Sequence, residues 1–172
     1  TVVVWLNSTA STEETPNLGE LLATSPHIQK LSFTGSTRVG KLLIQQSSET
    51  VKRLSLELGG NAPFVVFEDA DIDQAVDAAM ASKFRNAGQT CVCADRFLVH
   101  ASVHDTFVEK LVEKSKGIQI GAGMETGTTM GPLITSQAAA SVATKVESAI
   151  TEGATCKLGG NSLDGQFYEP TI

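Results

Sequence analysis

Cys91 and Cys93 lie in a short polar segment, GQTCVC (88–93), and not inside an apolar run. A thiol in such a segment is a candidate nucleophile, provided that helix N–H groups, a cation or a base lowers its pKa. Arg85 and Arg96 are nearby cations that could act in this way. The alternative is a small structural residue of the core, which is the commoner role of a single cysteine.

The cysteine count argues against a metal site and against a disulfide framework. The chain has three cysteines, an odd number, and Cys91 and Cys93 are too close together to join distant parts of a secreted domain. A zinc site would need a second ligand pair, which His100 and His104 do not supply at a usual spacing. We therefore predict a reducing compartment and no metal.

A second candidate for chemistry is Glu57, in the segment ELGG (57–60). The leucines before and after Glu57 alternate with polar residues, so the segment before Gly59 is predicted as a strand with the carboxylate opposite the leucines. Strand ends are where α/β sheets bind ligands. The alternative is a solvated glutamate on a half-buried strand.

The third candidate is the segment GSTRVGK (35–41), at a predicted strand-to-helix turn. Glycines there allow backbone N–H groups and the helix dipole to receive a phosphate. A P-loop would need Ser or Thr after Lys41 to hold magnesium, but Leu42 stands there, at a helical phase that we predict to face the core. The alternative is structural, with Gly35 ending a strand and Gly40 allowing the helix to pack on the sheet.

Alternating strands and helices must position these residues. Apolar runs and period-two patterns predict strands over 1–4, 30–34, 53–58, 63–67 and 96–99, and helical periodicity predicts helices near 18–22, 39–44, 72–80, 103–116 and 136–152. The polar run 7–16 is predicted as a loop, and residues 169–172 as the start of a strand. The 63–67 run is apolar on both sides, which is typical of a parallel strand covered by helices on both faces. The sequence therefore predicts an α/β architecture built from βαβ units.

Composition narrows the possible partners. The chain has 172 residues with 13 Lys+Arg and 19 Asp+Glu, a formal net charge of −6. It contains no basic block to neutralise phosphates, so nucleic acid and anionic membranes are disfavoured partners. No apolar stretch approaches the ~20 residues of a membrane-spanning helix. The first residues do not show the basic and apolar pattern of a targeting segment, so we expect any such segment to have been removed or to lie outside the given sequence.

Taken together and in this order, the segments FTGST (33–37), ELGG (57–60) and GQTC (88–91) resemble the aldehyde dehydrogenase superfamily. Within it, SKFRNAGQTCVCA (82–94) and GGNAPF (59–64) are most similar to the succinate-semialdehyde dehydrogenases. The resemblance spans nearly all 172 residues. Both ends look cut, so we expect the chain to be a fragment.

The resemblance implies a mechanism that the residue types allow. Cys91 would attack an aldehyde carbonyl as a thiolate, giving a thiohemiacetal and then a thioester. Glu57 would act as the general base that activates the hydrolytic water. The substrate implied is a small aldehyde, succinate semialdehyde, which is oxidised to succinate in GABA degradation.

Two further residues near the nucleophile receive roles. By the resemblance, Arg85 would hold the distal carboxylate of the substrate, although an arginine here could instead pair with a structural acid. Cys93 could form a strained disulfide with Cys91 that switches the thiolate off, or it could be a passive small residue. Asp95 stands where related sequences commonly have a neutral amide, and would oppose thiolate formation if it pointed inward.

The resemblance also implies a cofactor, NAD or NADP. Gly35, Ser36, Thr37 and Gly40 would lie against its phosphates, and the backbone near Leu58 would lie close to the nicotinamide. Residues 1–58 would be the end of a Rossmann-type dinucleotide-binding lobe, and residues 59–172 the first part of an α/β catalytic lobe.

The resemblance extends to assembly and location. The full-length parent would be a homo-oligomer, in the mitochondrial matrix of a eukaryote or the cytoplasm of a bacterium. Two rival hypotheses are a non-catalytic or inactive protein with the same fold, and a phosphate-binding nucleotidase that uses the segment 35–41.

Overall fold

The structure is a computed structural model that describes residues 14–172. The strand predicted over 1–4 lies outside these residues. The chain divides into two compact units, Thr1–Gly60 and Asn61–Ile172. Among residues 14–172, each unit contains one pair of parallel strands with helices beside it. The assignment of 1–58 to dinucleotide binding and of 59–172 to catalysis stays a prediction.

The described part of the first unit, residues 14–60, contains two α-helices and two strands. They are, in chain order, α1 (Glu14–Thr24), β1 (Lys30–Gly35), α2 (Thr37–Gln46) and β2 (Arg53–Leu58), with a short 3-10 turn over Ser48–Thr50. β1 and β2 pair in parallel. Along β2 the leucines are half-buried and the residues between them, Glu57 included, are exposed, which confirms the predicted alternation.

Helix α1 begins earlier than the sequence predicted. We expected a loop over 7–16, but the helix includes Glu14 to Pro16. Proline is tolerated in a first turn because the N–H group that it lacks would have no intrahelical partner there. At the other end of α1, the Lys52 ammonium donates to the carbonyls of Leu22 (3.0 Å) and Ser25 (2.9 Å). A cation at this position satisfies terminal carbonyl groups.

Helix α2 does not bury Leu42, which we expected to face the core. Gly40, Leu43 and Ser47 are buried, at a spacing of three and four residues, whereas Leu42 is 43% exposed. The prediction that Leu42 faces the core was therefore wrong, because one residue along a helix rotates the side chain by about 100°.

The second unit contains β3 (Ala62–Val66), α3 (Ile72–Lys83), β4 (Ala94–Val99), α4 (Ala101–Ser115) and α5 (Ser136–Thr151). β3 and β4 pair in parallel, as predicted. A first core cluster joins both strands to α3 and α4, with Val66, Val76, Ala79, Phe107 and Leu111 at its centre. A second, smaller cluster forms around Leu133, Ala139 and Tyr168.

Two expectations for the second unit were wrong. Within the second unit, only one face of the β3–β4 pair is covered, since Val65 and Leu98 are 49% and 54% exposed on the other; α3 and α4 both contribute to the core on the covered face. Residues 169–172 form no strand. Their last residue, Ile172, instead makes backbone hydrogen bonds with Lys157 and Leu158. Within residues 14–172, no helix has both the length and the apolar character needed to cross a membrane.

Candidate active site

The first unit brings most of its predicted site residues to one end of its sheet. In the parallel register Thr34 pairs with Glu57 and Gly35 pairs with Leu58. Ser36 follows β1 directly and caps α2, its hydroxyl accepting a hydrogen bond from the backbone N–H of Val39 (3.3 Å). We call residues 34–37 the Ser36 turn. This turn, Glu57 and Leu58 thus lie at the carboxyl end of the two strands.

The Ser36 turn has the properties of an anion-binding site. It is exposed, and it leads into the first turn of α2, where backbone N–H groups lack intrahelical acceptors and the helix dipole is positive. A Cβ atom on Gly35 would lie 2.5 Å from the ring of Phe33. Gly35, Ser36 and Thr37 therefore present backbone donors of the kind that bind an anion such as phosphate.

Gly40 has a different role from the other residues of its segment. It is buried, and a Cβ atom there would lie 2.8 and 2.9 Å from the two methyl groups of Leu58. This contact supports the alternative that Gly40 allows α2 to approach the sheet. Lys41 is followed by Leu42, which has no hydroxyl for a magnesium ion, so the segment lacks the chemistry of a P-loop.

Glu57 is available for chemistry in the first unit. Its side chain is exposed at the penultimate position of β2, and its carboxylate makes no hydrogen bond or ion pair with any residue between 14 and 172. Such a carboxylate can accept a proton from water.

The second unit holds the cysteines in an irregular connection between α3 and β4, which we call the Cys91 loop (84–93). Asn86, Ala87 and Gly88 all have positive φ, at 52°, 54° and 75°. Glycine adopts this conformation freely and asparagine tolerates it, but alanine is strained there. Strained backbone next to a reactive group is common at functional sites.

Gln89 ties the Cys91 loop to a distant part of the second unit. Its amide oxygen accepts from the backbone N–H of Ile134 (2.9 Å), and its amide nitrogen donates to the carbonyl of Asn86 (3.0 Å) and, at 3.5 Å, to that of Pro132. The sequence pattern alone assigned no role to Gln89. Its place within the GQTC segment, two residues before Cys91, was the available signal.

The two cysteines of the loop differ in access. Cys91 is exposed, whereas Cys93 is fully buried at 0% exposure. The thiol of Cys93 contacts the Thr90 hydroxyl and lies 3.9 Å from the carbonyl of Lys83. Solvent and substrate can reach only the first of these thiols. A disulfide between them would require Cys93 to leave the interior, and the redox role of Cys93 stays a prediction.

Some of the charged groups near the Cys91 loop already have hydrogen-bond or ion-pair partners within the second unit. Asp95 forms an ion pair with Lys83 (3.1 Å), so its carboxylate is neutralised beside the loop. Arg96 donates two hydrogen bonds to the carbonyl of Asn61 (3.2 and 3.1 Å). Arg85 is exposed and forms no ion pair within the described part of the chain. Of the two arginines considered, Arg85 is therefore the one whose charge is available to a ligand.

A cavity of about 630 Å³ lies within the second unit, and Cys91 does not line it. Its walls are largely apolar and include Phe97, Phe107, Leu133 and Tyr168. Charged side chains such as Lys145 and Glu169 also line it, but neither Cys91 nor Arg85 does, so its size does not make it the candidate active site. In the part of the chain that the structure describes, no three His, Cys, Asp or Glu side chains are grouped to hold a metal ion.

The second unit thus has an exposed thiol on a strained loop, and the first unit has an exposed strand-to-helix turn with the backbone donors of an anion-binding site. The sequence pattern of the aldehyde dehydrogenase family matches residues 8–172. The chain belongs to the aldehyde dehydrogenase family and has its α/β fold.

Individual relatives support this assignment. The chain is 51% identical to the mitochondrial succinate-semialdehyde dehydrogenase of Mus musculus, over 94% of this chain and 32% of the relative. It is 52% identical to a 3-sulfolactaldehyde dehydrogenase of Pseudomonas putida, over 90% of this chain and 32% of the relative. A crystal structure of succinate-semialdehyde dehydrogenase from Burkholderia pseudomallei superposes with a TM-score of 0.88 at 50% identity, covering 90% of this chain and 32% of that one. The chain thus spans about a third of the length of these relatives.

Proposed function

We propose that this chain contributes to an NAD(P)-dependent aldehyde dehydrogenase in which Cys91 is the nucleophile. The observation that supports this role is the difference between the two cysteines of the loop, one exposed and one fully buried. Cys91 attacks the aldehyde carbonyl, giving a thiohemiacetal, and later carries the acyl group as a thioester. The other cysteine of the segment is not available for this attack.

Glu57 is proposed as the general base for hydrolysis. Its exposed carboxylate, without an ion pair among residues 14–172, can accept a proton from the water that attacks the thioester. Water adds to the carbonyl carbon, the bond to sulfur breaks, and Cys91 is released with the carboxylic acid product. The roles of Cys91 and Glu57 both come from the family resemblance, and each side chain has the exposure that its role requires.

The proposed cofactor is NAD or NADP. Gly35, Ser36 and Thr37 would bind its phosphates through the first turn of α2, and the backbone at Leu58 would lie near its nicotinamide ring. When bound, the nucleotide supplies the acceptor for the hydride that leaves the substrate. We assign Gly40 to the support of this turn, because its contact with Leu58 sets how closely α2 approaches the strand.

The proposed substrate class is a short aldehyde with an anionic group, and succinate semialdehyde is the member that the resemblance favours. Arg85 supports this choice, because an exposed guanidinium without a partner among the described residues can form paired hydrogen bonds with a carboxylate. The relatives named for succinate semialdehyde and for 3-sulfolactaldehyde both act on aldehydes that carry an acidic group.

A comparison of two cysteine variants tests the proposal. In a full-length family enzyme that contains this chain, Cys91→Ala should reduce oxidation of succinate semialdehyde by about a thousandfold or more, because no other group replaces the nucleophile. Cys156→Ala is the matched control, because Cys156 is an exposed cysteine outside the Cys91 loop, and it should retain turnover. NADH or NADPH formation is followed with both nucleotides, which also identifies the preferred cofactor.

Two results would overturn the proposal. Turnover by the Cys91→Ala protein at a rate near that of the unmodified enzyme would remove Cys91 from the mechanism. Absence of dehydrogenase activity from the folded, unmodified enzyme with either nucleotide would favour a non-catalytic protein of the same fold.

A further inference from the structure

We propose that Gln89 is a positioning residue that holds the Cys91 loop in place through the segment 132–134. This inference rests on the proposed role of Cys91 as nucleophile. Gln89 itself is half-buried and touches neither cofactor nor substrate in the proposed mechanism. Its contribution would be to fix the backbone from which the exposed thiol projects.

The partners of Gln89 determine the orientation of its side chain. Its amide oxygen faces the N–H of Ile134 at 2.9 Å, and its amide nitrogen faces the carbonyl of Asn86 at 3.0 Å and that of Pro132 at 3.5 Å. A donor is needed on one side and an acceptor on the other, so only an amide of this length satisfies all three. A second, reciprocal bond runs from the Asn86 amide to the carbonyl of Gln89 (3.2 Å).

The segment 132–134 is a firm attachment point. Leu133 is buried in the second core cluster, and its N–H donates to the carbonyl of Gln166 (2.9 Å). Thr135, which follows the segment, caps α5 by accepting from the N–H of Ala138 (3.0 Å). The segment is thus held by core packing, by a backbone bond and by the start of a helix.

Apart from Gln89, few residues of the Cys91 loop contact the region around the second core cluster. Ala87 packs against the second core cluster, but it does so in a strained left-handed conformation that must be stabilised by its surroundings. Gln89 follows the strained backbone directly in the chain, and its side-chain hydrogen bonds contribute to that stabilisation. Without its bonds, the loop would be free to relax toward ordinary backbone angles, which would move the thiol of Cys91. Misplacing a reacting group by about 1 Å can reduce its rate by about 100-fold.

The test compares Gln89→Met with Gln137→Met. Methionine has nearly the length of glutamine but makes no such hydrogen bonds, and Gln137 is an exposed residue of α5 that controls for the change of side chain. Hydrogen–deuterium exchange of the peptide 84–93 should accelerate about tenfold in Gln89→Met, as expected for the loss of two or more hydrogen bonds. Exchange of α4, over 101–115, should not change. Gln137→Met should leave both peptides as they are.

Kinetics in the full-length enzyme supply the second measurement. Gln89→Met should lower kcat by about 10- to 100-fold and leave KM for the nucleotide unchanged, because the loop carries the nucleophile and not the phosphate-binding turn. Gln89→Glu keeps the length and the acceptor for Ile134 but places a second carboxylate oxygen against the carbonyls of Asn86 and Pro132, so it should lose at least as much exchange protection and activity as Gln89→Met. A residue that merely filled space would tolerate this change, because glutamate has the same size and shape as glutamine.

Each outcome decides the proposal. Exchange and kcat of Gln89→Met equal to those of the unmodified protein would overturn it, as would a loss of kcat without faster exchange in 84–93. If Gln89→Met does not fold, Gln89→Glu, which replaces the donor by an acceptor, must show faster exchange in 84–93 than the unmodified protein. If the unmodified enzyme has no dehydrogenase activity, the proposed function fails, and the exchange measurement still decides whether Gln89 holds the loop.

Discussion

The Ser36 turn and the Cys91 loop are built in different ways. The Ser36 turn follows a regular strand, has a hydroxyl cap and leads into a ten-residue helix, so neighbours in the chain account for its geometry. The Cys91 loop contains three consecutive residues with positive φ and is fastened by Gln89 to residues more than 40 positions away. The first region uses local hydrogen bonds, and the second depends on contacts that form only in the complete second unit.

This difference has a consequence for function. A phosphate-binding turn needs backbone N–H groups in a standard arrangement, which any capped helix following a parallel strand supplies. A nucleophile needs a particular position for one sulfur atom, and the irregular loop provides a position that regular structure does not offer. We therefore expect substitutions around Cys91 to affect reaction rates, and substitutions around α2 to affect stability and nucleotide affinity.

The largest effect is expected at Glu57, the residue of the first unit with a proposed chemical role. In the full-length enzyme, Glu57→Gln should lower steady-state turnover by about 10²- to 10⁴-fold, the usual contribution of a general base. Formation of the thioester should remain, so one equivalent of NADH or NADPH should appear rapidly before the slow phase. Stopped-flow absorbance measures both phases.

Ser55→Ala is the control for Glu57→Gln, because Ser55 is an exposed neighbour on the same side of β2. It should show ordinary turnover without a burst. A Glu57→Gln enzyme with unmodified steady-state turnover would remove Glu57 from the hydrolytic step.

A smaller effect, confined to anionic substrates, is expected at Arg85 in the Cys91 loop. Arg85→Leu should lower kcat/KM for succinate semialdehyde by about 10- to 100-fold, since leaving a carboxylate without its charged partner costs about 1.5–3 kcal/mol. A simple uncharged aldehyde should lose much less. Arg53→Leu removes an exposed arginine of β2 and should affect neither substrate. Equal losses on both aldehydes in Arg85→Leu would indicate a distorted loop instead of a lost carboxylate contact.

Replacing either of two glycines in the first unit by alanine should change the free energy of unfolding, in opposite directions. Gly19→Ala, in α1, should raise the free energy of unfolding by about 0.5–1 kcal/mol, because its Cβ would lie 4.0 Å from Leu43 and alanine favours the helix. Gly40→Ala should lower it by about 1 kcal/mol, because overpacking against Leu58 outweighs the same helical gain. Urea denaturation followed by circular dichroism measures both.

A Leu58→Ala background sharpens the test at Gly40. Removing the crowded methyl groups should turn Gly40→Ala from destabilising to stabilising. If Gly40→Ala destabilises equally in both backgrounds, the contact with Leu58 is not the reason for glycine at this position.

The smallest expected effect concerns the pH dependence of stability. This dependence should differ between a helix cap of the second unit, Asp71, and one of the first unit, Ser36. The Gln74 backbone N–H, donating to the Asp71 carboxylate, holds the pKa of Asp71 below its ordinary value, and the Gln74 side-chain amide adds to this shift. A carboxyl group with a lowered pKa in the folded state stabilises at pH values above its unfolded pKa, and that contribution disappears as the pH falls through the folded pKa. Stability of the second unit should therefore fall below about pH 4, and Asp71→Asn should reduce this dependence.

Ser36→Ala provides the contrast in the first unit, since the hydroxyl that caps α2 does not titrate over this range. It should lower the thermal midpoint by the same amount at every pH between about 3 and 7. The size of the decrease should correspond to the loss of one side-chain helix cap. Identical pH profiles for Asp71→Asn and the unmodified chain would show that the Asp71 cap contributes nothing to acid sensitivity.

The sequence predicted the regular parts of the fold well, for reasons visible in particular residues. Alternating leucines located β2, the aspartates before Ile72 located the start of α3, and Gly153, with φ of 104°, follows the end of α5. These signals are local. The burial of Leu42 and the covering of both faces of β3 were predicted wrongly, because they depend on which elements pack against which, and residue periodicity does not determine that.

The candidate site was predictable as a set of residues but not as a structure. The motifs singled out Cys91, Glu57 and the Ser36 turn, and the parallel register then placed Glu57 beside Thr34. Nothing in the local pattern indicated that Gln89 reaches Ile134, or that Asp95 pairs with Lys83, because both contacts join segments brought together only by folding. The burial of Cys93 likewise depends on packing.

The most direct test of the account is to identify the atom that carries the acyl group. A full-length enzyme with Glu57→Gln is mixed with succinate semialdehyde and nucleotide, quenched in acid, digested and analysed by mass spectrometry. We expect a succinyl thioester on Cys91 and none on Cys93 or Cys156. Reduced nucleotide formed in the burst without an adduct on Cys91, or with the adduct on another cysteine, would contradict it.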